Sequence, residues 1–138
     1  MTSVSFADAV SAADRRTAES IAAAFGRFEV IPESLMDAAT ALAGSSPAFV
    51  FMMIEAMADA AVLEGMPRAQ AYRFAAQAVA GSARMALEDG AHPAALKDAV
   101  CSPAGTTIEG VRVLEELGFR SSVMEALHAT CEKSRDFG

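Results

Sequence analysis

Pro47-Ala48-Phe49-Val50-Phe51-Met52-Met53-Ile54-Glu55-Ala56-Met57-Ala58-Asp59-Ala60-Ala61-Val62-Leu63 decides the fold. Ser45-Ser46-Pro47 reads as a helix start with proline in the first turn, and Gly65 as its stop. Between them nearly every position is apolar, and only Glu55 and Asp59, one turn apart, interrupt the run. A helix that is apolar on most sides lies either in the centre of a large core or against another chain. A chain of 138 residues is too short to wrap such a helix fully, so a partner chain is expected. The segment also reads as too short and too charged for a good membrane span. Glu55 and Asp59 have the spacing of a carboxylate pair for acid–base work, but a solvated stripe or an ion pair with arginine is the commoner arrangement.

The bulk composition agrees with a helical body. The length fits one domain; 53% of residues are apolar, 7% are aromatic, tryptophan is absent and alanine is abundant. That balance favours helices meeting through small residues over a β-sandwich. The formal charge of −7 argues against nucleic acid as a partner, and an anionic ligand would need local groups to hold it. The two cysteines, Cys101 and Cys131, lie outside any CxxC pattern and read as reduced thiols of a cytoplasmic protein. His92 and His128 have no partner at metal-ligand spacing, and His128 reads as a hydrogen-bonded packing residue of the last helix. Met1-Thr2-Ser3-Val4 has neither the basic region nor the apolar run of a secretion signal. Walker A, GxGxxG, HExxH and GxSxG patterns are missing.

Along the chain, residues 3–9 suggest a short strand, Ser11 opens a helix to about Phe25 with Gly26 as its stop, and 27–31 suggest a second strand. Two short strands need neighbours to be stable, so this β-α-β piece is odd beside an all-helical remainder. From Pro32 onward helices are expected to end near Gly44, Glu64, Asp89, Val100 and Gly118. Gly81 in mid-helix makes sense if another backbone packs closely there. A last helix is expected to start at Ser121 or Ser122, with Glu125 completing a capping box.

The chemistry concentrates in Leu96-Lys97-Asp98-Ala99-Val100-Cys101-Ser102-Pro103-Ala104-Gly105-Thr106-Thr107-Ile108-Glu109. A short helix leads into a small-residue loop, and a new helix follows. Thr106 and Glu109 have capping-box spacing, which puts the helix start at or beside Thr107. Unpaired N–H groups and the partial positive charge of a helix start can hold a carboxylate without any basic side chain. Gly105 lets a ligand approach the backbone. A capped helix start with no ligand has the same pattern.

Thr40-Ala41-Leu42-Ala43-Gly44-Ser45-Ser46-Pro47-Ala48-Phe49, followed by His92-Pro93, Leu96-Lys97-Asp98 and Ser102-Pro103-Ala104-Gly105-Thr106-Thr107, resembles pyrroline-5-carboxylate reductase. The likeness is to that enzyme's C-terminal helical domain and covers residues 32–138; residues 1–31 look like the end of its nucleotide-binding domain. The resemblance implies a mainly α fold, the 6-phosphogluconate-dehydrogenase C-terminal-like dimerisation domain, preceded by a β-α-β remnant. It implies reduction of the cyclic imino acid 1-pyrroline-5-carboxylate to L-proline with NADPH or NADH. It also implies an interlocked homodimer, or a larger assembly, working without nucleic acid or membrane. Ser102, Gly105 and Thr106 would hold the substrate carboxylate, and Thr107 would place its hydroxyl near the ring nitrogen as the catalytic residue.

Three departures matter. Ser46 and Ala104 stand where the family usually has glycine, and Phe49 where it often has tyrosine. If position 104 needs a positive φ, alanine there is strained by roughly 1 kcal/mol or more. The glycine-rich pyrophosphate fingerprint is also missing, so these 138 residues are not expected to turn over alone. The alternatives are a stand-alone helical dimerisation or small-acid-binding module, or one half of a split reductase.

Overall fold

The computed structural model describes residues 1–136 and divides the chain into two compact units, Met1–Ala48 with the chain from Val123, and Phe49–Ser122. In the first unit, β1 (Thr2–Val4) and β2 (Phe28–Val30) pair in parallel, with Thr2 opposite Phe28 and Val4 opposite Val30. A parallel pair needs a crossover, and α1 (Ala12–Ala24) supplies it. Ser11 caps α1 by accepting the Asp14 N–H at 3.2 Å. Gly26, at φ 124°, turns the chain into β2. Ala22 is the buried residue of α1, while the larger apolar residues Ile21 and Phe25 are exposed.

One continuous helical run follows over Glu33–Leu63. It opens with a 3-10 turn (Glu33–Leu35), continues as α2 (Met36–Ala39), widens into a π turn (Thr40–Ser45) and becomes α3 (Ser46–Leu63). The expected break near Gly44 does not occur, and the reason is Pro47. Proline has no N–H to give the carbonyl four residues back, and its ring crowds that carbonyl. Widening the preceding turn lets the run continue: the Ser46 N–H reaches the Ala41 carbonyl, and the Ser46 hydroxyl donates to the Leu42 carbonyl at 2.6 Å. The run is therefore 31 residues long, with a mean hydropathy of 1.5 in its most apolar window. By length and composition it is able to cross a membrane, so the argument that it is too short does not hold. Near the other end of this unit, Ser134 on α7 (Phe119–Arg135) donates to Asp37 on α2 at 2.7 Å.

In the second unit, α3 ends in a Schellman motif. Gly65, at φ 95°, donates to the Val62 carbonyl at 2.9 Å, and Met66 donates to the Ala61 carbonyl at 3.0 Å. Pro67 then leads into α4 (Arg68–Asp89), which stops at Gly90. The two helices meet through Ala58, fully buried, with Ala71 and Ala75, flanked by Ile54, Ala61, Val62 and Met66. The second unit continues with α5 (Pro93–Ala99) and α6 (Thr106–Glu116). The start of α7 is also corrected. It begins at Phe119, and the Ser121 and Ser122 hydroxyls donate back to the Gly118 carbonyl at 2.9 and 3.0 Å instead of capping N–H groups.

Among the described residues every buried side chain is an alanine: Ala22, Ala41, Ala58, Ala71 and Ala75. Many large apolar side chains lie outside, with Phe51 67% and Phe74 60% exposed, although Ile54, Val62 and Met66 are half-buried beside the alanines. Each side chain of that size stabilises a fold by about 1.5–3 kcal/mol only once it is covered. The helices therefore meet through their small faces and leave the large ones uncovered. Among the described residues nothing beyond Gly81's own helix lies within 4 Å of a Cβ placed there, so the close backbone packing expected at Gly81 is not made within them.

The Ala58 contact tolerates no added volume. Ala58→Met is expected to lower stability by about 1–3 kcal/mol in urea unfolding, whereas the same change at exposed Ala60 shifts it by less than about 0.5 kcal/mol.

Candidate functional site

The Ser102–Thr107 segment is a tight turn feeding a helix. His92 caps α5 by accepting the Ala94 N–H on its Nδ1 at 3.1 Å, so this histidine has a local structural role. After α5, the Gly105 N–H donates to the Ser102 carbonyl at 3.0 Å, which closes a β-turn. Pro103 holds the first central position, and Ala104 holds the second at φ 55°. That is the type II arrangement, in which the second central residue is normally glycine. The strain expected for alanine at position 104 is therefore present.

The capping box between Thr106 and Glu109 is not formed. Gly105 is the N-cap, extended at φ −80° and ψ 170°, and it offers no side chain; Thr106 is already the first helical residue. Glu109 instead meets Arg112 at 2.7 Å, and Arg112 reaches Glu116 at 2.7 Å. The hydrogen bond from Arg112 pulls the Glu109 carboxyl below its ordinary range, and Glu109 in turn raises the Arg112 guanidinium. Any stability from the Glu109 shift is present above the usual carboxyl range and is lost as pH falls through the lowered folded value.

The first-turn N–H groups of Thr106, Thr107 and Ile108 therefore have no cap side chain over them. Ser102, Thr106 and Thr107 are exposed and Gly105 is half-buried. The nearby cations are committed to carboxylates. Lys97 is bound to Asp98, whose hydrogen bond raises the lysine's pKa, and Arg120 pairs with Glu115 at 2.6 Å. What this turn offers an anion is backbone N–H groups, hydroxyls and a helix dipole.

The other candidates separate clearly. Asp59 forms an ion pair with Arg68, which raises the arginine's pKa, and the guanidinium lies 5.7 Å from the Tyr72 ring centroid. Glu55 is exposed, so the ion-pair reading of these carboxylates holds. His128 is exposed, not packed, while Leu127, Thr130 and Cys131 of the same helix are half-buried. Among the described residues no group of three His, Cys, Asp or Glu side chains is placed to hold a metal. Concave surfaces along α4, lined by Gly81, Arg84, Met85 and Glu88 or by Met53, Met57, Ala78 and Ser82, include none of the turn's residues.

The β1–α1 connection does not have the features of a pyrophosphate cradle. The connection from β1 to α1 contains no glycine, and the start of α1 is closed by the Ser11 hydroxyl and the Asp14 carboxylate, which would repel a phosphate.

Replacing the strained alanine tests the turn geometry. Ala104→Gly is expected to raise stability by about 0.5–1 kcal/mol, measured by the urea midpoint, because relief of the left-handed strain outweighs the added freedom of the unfolded chain.

The profile of the family described as "Pyrroline-5-carboxylate reductase dimerisation" matches residues 33–137. The pyrroline-5-carboxylate reductase of Escherichia coli K12 is 61% identical over 134 residues, which is 97% of this chain and 50% of that protein. The solved pyrroline-5-carboxylate reductase of Coxiella burnetii superposes with a TM-score of 0.92 at 32% identity, covering 97% of this chain and 50% of that one. The Plasmodium falciparum pyrroline carboxylate reductase, solved with NADP bound, gives 0.88 at 34% identity, covering 99% of this chain and 53% of that one. The chain spans about half the length of the curated relatives it matches.

Proposed function

The chain belongs to the pyrroline-5-carboxylate reductase dimerisation family, and from that premise we propose that it is the dimerisation and substrate-binding part of a reductase that converts 1-pyrroline-5-carboxylate to L-proline. Residues 32–138 form that part, and residues 1–31 end a nucleotide-binding domain. The observation that carries the reading is the open N-terminus of α6, whose cap is a glycine and whose first-turn carboxylate, Glu109, is paired with Arg112. The substrate carboxylate rests on the Thr106 and Thr107 N–H groups and on the hydroxyls of Ser102 and Thr106, next to Gly105. Thr107 is the catalytic residue of this reading, because its hydroxyl meets the ring nitrogen. An imine that arrives protonated needs no strong protein acid, so the turn contributes by orienting the ring. The nicotinamide cofactor, NADPH or NADH, supplies reducing power from outside these residues.

The uncovered apolar faces of α3 and α4 are the natural seat of a second copy, in a homodimer or a larger assembly. A protein partner is preferred to a membrane for the long helical run, because the Asp59–Arg68 ion pair sits on its α3 end. The net charge of −7 disfavours nucleic acid, and two free thiols suit the cytoplasm. The stand-alone module is the weaker reading, since the matched relatives are reductases.

Sedimentation at micromolar concentration is expected to give a dimer or a larger species, and a compact monomer would contradict the reading. In a reductase assay of the chain joined to a nucleotide-binding domain, Thr107→Val is expected to lower turnover at least tenfold without moving the urea midpoint. Unchanged kinetics would remove Thr107 from the mechanism.

A further inference from the structure

We propose that Gly105 is a positioning residue that sets the affinity of the α6 cradle for an acid group through the hydroxyl of Ser102, not by contact of its own. This rests on the reading of the turn as the carboxylate site. A Cβ placed on Gly105 would lie 2.3 Å from the Ser102 Oγ, 3.1 Å from the Ser102 carbonyl oxygen and 3.5 Å from the Ser102 Cβ. The first distance is far inside contact, so Gly105 is glycine to make room for one particular side-chain oxygen.

Backbone freedom is not the reason. Gly105 sits at φ −80° and ψ 170°, extended backbone open to any residue. Gly26, Gly65, Gly90 and Gly118 are different, because their φ values are positive. Gly81 and Gly110 have open space where a Cβ would go. At Gly105 the constraint points at Ser102.

The carbonyl half of Ser102 can give by only a few tenths of an ångström, because it accepts the Gly105 N–H at 3.0 Å and closes the turn. Pro103 and left-handed Ala104 hold that turn between them. The remaining soft coordinate is the Ser102 side-chain torsion. The severe contact of a methyl group at position 105 is relieved by rotating the Ser102 hydroxyl away from the helix start, and the 3.1 Å approach to the carbonyl oxygen by a small shift of the turn. The ligand then loses a hydrogen bond although Ser102 is still present.

A double-mutant cycle on the 138-residue chain tests this, with L-proline as probe and pyrrolidine, which has no carboxylate, as control. Ser102→Ala and Gly105→Ala are each expected to weaken proline binding about tenfold, and the double variant is expected to stay within about twofold of either single one, because both remove the same hydroxyl contact. Losses that multiply, to about a hundredfold in the double variant, would overturn the proposal by showing that Gly105 meets the ligand itself. So would a Gly105→Ala chain that binds proline normally. A separate pattern marks failure of the underlying site: the unaltered chain binds proline no better than pyrrolidine, or Ser102→Ala and Thr107→Val both leave affinity unchanged. That result overturns both readings together.

Discussion

The structure depends on helices that meet through alanine. Ala58 of α3 against Ala71 and Ala75 of α4 is the packed centre of the second unit, and Ala22 and Ala41 are the buried residues of the first. Small residues let backbones approach closely but bury little apolar surface, so these contacts fix geometry more than they supply energy. The energy resides in what is left out, including Phe51, Met52, Phe74 and Met85, all exposed in the single chain. Association with another chain is what such faces would suit, and the matched family is described as a dimerisation family.

The same economy of side chains shapes the Ser102–Thr107 turn. No arginine or lysine is free to hold an anion there, since Lys97, Arg112 and Arg120 each face a carboxylate. The turn works with backbone instead: an uncapped helix, a glycine at the cap and a left-handed alanine before it. Such a turn offers an acid group hydrogen-bond geometry in place of a formal positive charge. Ala104 shows that the geometry is kept even where the residue type resists it.

Much of this was legible in the residues. Ser11 and Gly26 bracket α1 as their types demand, and Pro67 and Gly90 bracket α4. The order of the two proline-containing motifs carried the family. The errors share one physical origin, which is that local signals were read without their alternatives. Thr106 and Glu109 have the spacing of a capping box, but Glu109 has a stronger partner one turn on in Arg112, and Gly105 had already taken the cap. Ser121 and Ser122 can cap, but they can equally bond back to the Gly118 carbonyl, and they do. Pro47 reads as a helix start, yet a π turn absorbs it within a longer helix. The occurrence of a 3-10 or π turn depends on a balance of nearby hydrogen bonds that spacing alone does not report.

By itself the sequence determined the helical class, the bracketing of most helices and the place of the small-residue turn at Ser102–Thr107 before a helix start. These follow from short-range rules: which residues start and stop helices, and which faces are apolar. Only the tertiary structure decided which apolar faces α3 and α4 turn to each other, the small ones, and which they leave for another chain. Periodicity cannot make that choice, because α3 is apolar on nearly every side and any of its faces would bury carbon. The decision rests with interhelical distance, which only residues as small as Ala58, Ala71 and Ala75 allow to be short.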